Sequence, residues 1–389
     1  MRLLICAGGT GGGVYPALAV LQAMRNNESR AWDEHLRPGA IVHDLLWIGG
    51  QGGMEADLVS KAGVSYKEIP AGGVHGVGWR ALPGNAWQLG RGFLAARRLL
   101  REFHPDRLLF TGGYLAVPVA LAARLPGRGY PRPRSLLYIP DIEPGLALKS
   151  LARFADQIAV TAEDTRKYFG RRAALVVTGY PVRSSLHTWD KDQARQALGL
   201  SPDLPVLLVF GGSRGARSIN HVLWSALPEL LREMQVVHIT GERDWPELEA
   251  IREQLDASQA HDLSARYHPH PYLHDEMGAA FTAADLAVCR AGASTLGELP
   301  LFGLPAILVP YPHAWRYQHI NAQYLVQRGA AVLLEDAALS DQFLPLVRHL
   351  MGDFDKRAQM RLAMSALAQP NAAKQIVRLL EDLSAGLRR

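Results

Sequence analysis

Apolar and polar positions alternate along this chain in blocks. Short apolar runs are each followed by a glycine-rich or polar turn and then by a segment of helical period. The runs of the first half cover residues 3–6, 45–48, 66–69, 107–110, 136–139, 157–161 and 175–177. Those of the second half cover 205–210, 236–240, 266–273, 286–289, 306–309 and 332–335. Unbroken apolar runs suit parallel strands buried on both faces. Between them the pattern predicts helices over 14–25, 54–62, 85–102, 115–124, from Pro144 onward, near 191–198, over 275–284, 342–351, 356–366 and 372–383. Residues 26–39 are polar and turn-rich and read as a surface insertion, and 72–84 as a glycine-punctuated loop. The fold class is therefore α/β, with two doubly wound Rossmann-like domains facing a cleft. The hinge is placed in TGYPVR, residues 178–183. This divides the chain into 1–180 and 181–389 and leaves the last helix free to return to the first domain.

The length of 389 residues suits two domains, and 48% hydrophobic with 20% charged residues allows sizeable cores. Cys6 and Cys289 both sit in apolar runs and read as reduced core thiols of a cytosolic protein. Residues 1–7 run straight into a glycine turn, so no signal peptide is expected. No apolar run approaches the roughly 20 residues of a membrane span. The net charge of +5 suits an anionic membrane surface or an anionic ligand. No nucleic-acid motif accompanies it, so no nucleic-acid partner is expected.

Chemistry concentrates where strands end. After the 286–289 run, Arg290, Ala291 and Gly292 turn the chain, and Ala293, Ser294 and Thr295 open a helix with small side chains. Free N–H groups at such a start suit a diphosphate. Glu298 would repel phosphates, and it suits the two hydroxyls of a ribose. Gln318 and Asn321 open the helix after the next strand. An ordinary βα unit could carry the same small residues, with Glu298 a solvated charge. Two further strand–glycine–helix junctions occur, AGGTGGG from Ala7 and GGSRGARSIN from Gly211. Neither is a dinucleotide fingerprint. His268, His270 and His274 match no zinc spacing, and the pairs Asp190/Asp192 and Asp353/Asp355 lie away from strand ends. No metal and no cofactor are expected. Val77, Trp79, Leu82, Trp87, Leu89, Phe93 and Leu94 mix with Arg80, Arg91, Arg97, Arg98 and Arg101. That mixture fits both an anionic bilayer surface and an ordinary amphipathic core helix.

Several ordered segments resemble the MurG family: GGTGGGVYPALA from Gly8, FTGGYLAVPVALAA from Phe110, PGLALKSLARFAD from Pro144, VTGYPVR from Val177, VFGGSRGARSIN from Val209 and RAGASTLGELPLFGLPAILVPYPH from Arg290. The resemblance implies a GT-B fold and inverting transfer of N-acetylglucosamine from UDP to lipid I, an undecaprenyl-diphosphate-linked muramyl pentapeptide, giving lipid II. It implies that Arg183, Ser213, Leu273, Ala293, Ser294, Thr295, Glu298, Gln318 and Asn321 wall the UDP-sugar site. Thr10, Gly11, Gly12 and Gly13 would face the acceptor diphosphate. It also favours the bilayer reading of residues 77–101, on a peripheral protein at the cytoplasmic face of the membrane. Alternatives are a related UDP-sugar transferase with another lipid-linked acceptor, or a catalytically weakened UDP-sugar-binding protein. The sequence departs from the family where Gly13 replaces a histidine. Tyr138, Ile139, Pro140 and Asp141 replace His-Glu-Gln-Asn, and Arg214 and Tyr317 each replace a glutamine. The base must then lie elsewhere, with Asp141 first, His75 second and Glu143 third.

Overall fold

The computed structural model describes residues 1–8, 11–33, 44–53, 55–70, 82–125, 131–170, 173–212, 216–257, 261–313 and 316–383. They form two units, Met1–Arg183 with Pro370–Arg389, and Ser184–Gln369.

The first unit holds a seven-stranded sheet. Its strands are β1 Arg2–Cys6, β2 Asp44–Gly50, β3 Ser65–Ile69, β4 Arg107–Phe110, β5 Arg134–Ile139, β6 Gln157–Val160 and β7 Leu175–Val177. The order is β3-β2-β1-β4-β5-β6-β7, with neighbours parallel. Leu3, Leu4, Ile5 and Cys6 are wholly buried, as a central parallel strand requires. One face packs Leu4, Cys6, Leu108 and Phe110 against Ala96, Leu100 and Val119 of two covering helices. The last helix, Ala372–Asp382, buries Ile376, Val377 and Leu380 and packs on the helix Gly11–Asp33. Arg107 at the start of β4 donates from Nε to the Leu380 carbonyl at 3.2 Å, a cation on the final turn of that helix.

The second unit holds a six-stranded sheet. Its strands are β8 Val206–Phe210, β9 Gln235–Ile239, β10 Tyr267–His270, β11 Leu286–Cys289, β12 Ala306–Leu308 and β13 Ala331–Leu333. The order is β10-β9-β8-β11-β12-β13, again parallel. In each sheet the winding reverses beside the first strand, between β1 and β4 and between β8 and β11. There the covering helices depart to opposite faces and leave a crevice at the carboxyl ends.

Two segments differ from the sequence pattern. The first helix runs from Gly11 to Asp33, so the backbone through 26–33 is helical rather than an insertion loop. Between Pro16 and Pro38 no glycine or proline occurs, and the polar residues there only lower helix propensity slightly. Where one helix was expected from Ala293, the chain makes a 3₁₀ turn, Ala293–Leu296, and then a separate helix, Glu298–Phe302. Gly297 (φ −120°, ψ −46°) breaks the run, and Gly303 (φ 56°) ends the second piece in the left-handed region.

The core of the second unit contains a directional polar chain. Trp224 Nε1 donates to Tyr267 Oη at 3.0 Å, which reaches His238 Nδ1 at 2.8 Å. His238 Nε2 meets Asn220 Oδ1 at 2.9 Å, and Asn220 Nδ2 donates to the Thr240 carbonyl and to Asp244 Oδ2. Burial pushes His238 from 6.5 down to about 3, so the folded protein keeps it neutral. The unfolded chain takes up a proton through the interval between those values. Stability from this group is complete above pH 6.5 and is lost as pH falls toward about 3. The slope is about 1.4 kcal/mol per pH unit. Urea midpoints at several pH values should fall more steeply below pH 6.5 for the parent than for His238→Gln. Parallel slopes would show that His238 does not titrate on unfolding.

Candidate active site

The first unit carries a cavity of about 680 Å³ at the carboxyl ends of β2, β1, β4 and β5. Each strand contributes its following turn: Gly50, Gln51 and Gly53 after β2, Gly8, Gly12 and Gly13 after β1, Thr111 to Leu115 after β4, and Pro140 and Asp141 after β5. Glu55, Pro70, Gln88, Arg91 and Leu148 complete the wall. Gly112 (φ 142°) and Gly113 (φ 85°) take conformations that disfavour any other residue. Thr111 Oγ1 donates to the Gly13 carbonyl at 2.6 Å, and a Cβ on Gly13 would stand 3.2 Å from the Thr111 carbonyl oxygen. The β1 and β4 turns are thus held in backbone contact, and the lack of a side chain at position 13 fits that approach.

Asp141 lines this cavity, half-buried. Its loop is held from inside the sheet. Thr161 Oγ1 donates to the Pro140 carbonyl at 2.7 Å, and Tyr138 Oη reaches Thr161 Oγ1 at 2.8 Å and the Gly179 carbonyl at 3.3 Å. Burial, with the nearby Asp141 charge, drives the Tyr138 phenol well above its ordinary value, so it stays a donor. The next helix begins only at Leu146, with Gly145 extended as its cap. Asp141 therefore lies outside the first turn of that helix, where its dipole acts. Glu143 is almost fully buried and pairs with Lys149 Nζ at 3.6 Å. It is not among the residues lining the cavity. Gly11 opens the first helix, and Arg183 lies over the Tyr15 ring at 5.4 Å. His75, Thr10, Ser213, Arg214 and Trp79 lie outside the described residues.

In the second unit, Arg290 at the end of β11 is the hub. Its guanidinium donates to the Val309 and Pro310 carbonyls, to Asp336 Oδ1 and to Ser218 Oγ, and it stacks on Tyr311. One side chain thereby ties the ends of β11 and β12 to the first turn of the helix Arg217–Leu230. Asn321 is fully buried and donates to the Ala291 carbonyl at 3.2 Å, so it supports the turn. Gln318 Oε1 accepts from the Tyr311 N–H at 2.9 Å, leaving its Nε2 donors for another acceptor. Thr295 is spent on Gly292, through both its N–H and its hydroxyl. Ser294 and Glu298 are half-buried, and Leu273 is half-buried in the loop after β10.

The remaining chemistry narrows quickly. Cys6 and Cys289 are free and buried, and burial pushes both thiols well above their ordinary value, which removes thiolate chemistry near neutral pH. His268 and His270 are lowered by burial. Among the described residues no cluster of three metal-ligating side chains occurs. On the helix Leu82–Phe103, Trp87 and Leu94 are 71% and 66% exposed, whereas Phe93 packs against the core. Arg91, Arg98 and Arg101 share that exposed stripe at helical spacing.

Sequence reasoning missed Glu55, Thr111 and Arg290. An acidic residue opening a helix, a threonine ending a strand and an arginine in a turn are each unremarkable by themselves. Only their burial against neighbouring strand ends distinguishes them.

The glycosyltransferase family 28 N-terminal domain matches residues 3–160, and the family 28 C-terminal domain matches 206–376. A relative from Roseiflexus sp. (strain RS-1) is 41% identical, covering 98% of this chain and 95% of its own. One from Desulforudis audaxviator is 37% identical, covering 99% of both. Both are named UDP-N-acetylglucosamine–N-acetylmuramyl-(pentapeptide) pyrophosphoryl-undecaprenol N-acetylglucosamine transferase. The crystal structure of Acinetobacter baumannii MurG superposes with a TM-score of 0.70 at 25% identity, over 98% of this chain and 99% of that one. A UDP-GlcNAc 2-epimerase from Neisseria meningitidis shares the fold at a TM-score of 0.65 and 14% identity, covering 98% of this chain and 100% of that one. Near-complete coverage by such relatives, on two parallel sheets with glycine turns at both switch points, places this chain in the MurG family of glycosyltransferase family 28.

Proposed function

We propose that the chain transfers N-acetylglucosamine from UDP-N-acetylglucosamine to the muramyl sugar of lipid I, with inversion, forming lipid II for peptidoglycan. The observation that carries this reading is the cavity of the first unit, a glycine-walled pocket with a single half-buried aspartate at the end of β5. Its turns supply backbone groups for a diphosphate, and Asp141 supplies a proton acceptor for a sugar hydroxyl. In the second unit, Glu298 takes the ribose hydroxyls and Gln318 Nε2 a sugar hydroxyl. Ser294 and Ala293 lie against the diphosphate, with Leu273 beside the uracil. In the reaction the acceptor oxygen bonds to the anomeric carbon, its proton passes to Asp141, and UDP leaves with the electron pair of the broken bond.

Labelled transfer to a lipid I analogue, with EDTA present, tests the activity. Asp141→Asn should lower kcat by about 10²–10⁴-fold with UDP affinity unchanged. Near-parental kcat would remove Asp141 as base. Transfer only to another lipid acceptor would favour a related transferase, and UDP-sugar binding without turnover a catalytically weakened binding protein.

Glu298→Ala should weaken UDP binding by ~1–3 kcal/mol through lost charge-assisted bonds, read by calorimetric titration. An unaltered affinity would take Glu298 out of the nucleotide site.

We further propose that the first unit docks on an anionic membrane at the cytoplasmic face through Trp87, Leu94, Arg91, Arg98 and Arg101. Among the described residues no helix is long and apolar enough to cross a membrane. A Trp87→Ser/Leu94→Ser variant alters only exposed positions, so it should fold normally and sediment less with anionic vesicles, most clearly at high salt. Sedimentation equal to the parent would exclude this helix as the docking surface.

A further inference from the structure

The cavity of the first unit contains a second carboxylate, Glu55, which is wholly buried. Its Oε1 accepts the Gly50 N–H at 2.8 Å. A Cβ on Gly8 would lie 2.4 Å from that oxygen, and one on Gly53 would lie 2.3 Å from each carboxylate oxygen. Neither contact is sterically possible, so the carboxylate occupies the space that side chains at positions 8 and 53 would need. On its other side, the Gly50 carbonyl accepts from Tyr66 Oη at 3.3 Å. Burial, with the Glu55 and Glu68 charges, raises the Tyr66 phenol and keeps its proton in place. The Gly50 peptide is therefore gripped at both its N–H and its carbonyl.

A buried anion on the floor of a pocket for a diphosphate is a liability unless backbone donors absorb it. Here it is enclosed by the two turns that form the pocket wall. We propose that Glu55 is a positioning residue for the acceptor: its carboxylate pins the β1 and β2 turns together, so that the pocket wall keeps the spacing a lipid-linked diphosphate needs. On this view Gly8 and Gly53 are glycines to admit Glu55, not to admit the substrate. The inference rests on reading this cavity as the acceptor site.

The test compares the full-length parent with Glu55→Ala and Glu55→Gln. Three quantities are measured: KM for a lipid I analogue and for UDP-N-acetylglucosamine, farnesyl diphosphate binding by calorimetry, and amide hydrogen exchange across residues 48–53. Glu55→Ala should raise the acceptor KM and weaken farnesyl diphosphate by about tenfold, with the donor KM within about twofold. Exchange at Gly50 should quicken. Glu55→Gln keeps one acceptor oxygen for Gly50 and should recover part of each loss. An unchanged acceptor KM in the folded Ala variant would overturn the proposal. Tighter diphosphate binding would overturn it too, by making Glu55 a repelling charge. If the parent neither binds the diphosphate nor transfers to the acceptor, the acceptor reading fails by itself. Exchange then decides the clamp: faster exchange in Glu55→Ala supports it and unchanged exchange overturns it. Should Glu55→Ala not fold, Glu55→Asp withdraws the same charge from Gly50 by one methylene and carries the same expectations.

Discussion

Backbone carbonyls where strands end and helices begin lack regular ladder partners, and in this protein side chains from neighbouring strands and helices supply them. Thr111 holds the Gly13 carbonyl, Thr161 that of Pro140 and Tyr66 that of Gly50. In the second unit Asn321 holds Ala291, Arg290 holds Val309 and Pro310, and Asn220 holds Thr240. A buried carbonyl without a partner destabilises by roughly 1–3 kcal/mol, so these pairings are conditions for the turns to exist in their present form. They also act from behind. Each turn is thus fixed on its inner side.

The two units meet this requirement with different chemistry. The first uses hydroxyls and one carboxylate on short reach, which allows glycine turns to approach one another within van der Waals contact. The second uses longer groups, the forked guanidinium of Arg290 and the amides of Asn321 and Asn220. A planar fork can bridge three elements at once, which a lysine at the same position could not. The same unit buries His238 as a neutral link in a polar chain, so its integrity depends on pH where the first unit's hydroxyl pairs do not.

These supports bear on the departures from the family pattern. The family resemblance implies a histidine at position 13, and here Gly13 lies against Thr111, where a Cβ would stand 3.2 Å from its carbonyl oxygen. The segment Tyr138 to Asp141 places an aromatic hydroxyl inside the sheet and a carboxylate at its rim. Both positions line one cavity, Gly13 beside the β4 turn and Asp141 at the end of β5.

Much of this was readable in the residues alone. Unbroken apolar runs such as Leu3–Cys6 and Val206–Phe210 suit strands covered on both faces, and glycine turns directly after them mark the strand ends where ligands bind. That local logic predicts the α/β class, nearly every strand, and Asp141, Glu298 and Gln318 at strand ends. It fails where distant segments decide. The break at Gly297 depends on a backbone angle that any glycine permits but none dictates. Helix 11–33 outruns its apolar pattern because polar residues can continue a helix without burying a face. Glu143 and Asp141 look alike in sequence, two residues apart, and only packing sends one to Lys149 and the other to the cavity. Glu55 is the clearest case. A carboxylate in a first helical turn is ordinary by composition, and its enclosure by Gly8, Gly50 and Gly53 arises only when β1 and β2 pair. Sequence determined which elements form, because periodicity and turn chemistry are local. Tertiary structure decided which polar groups are buried together, because that depends on contacts between segments far apart in the chain.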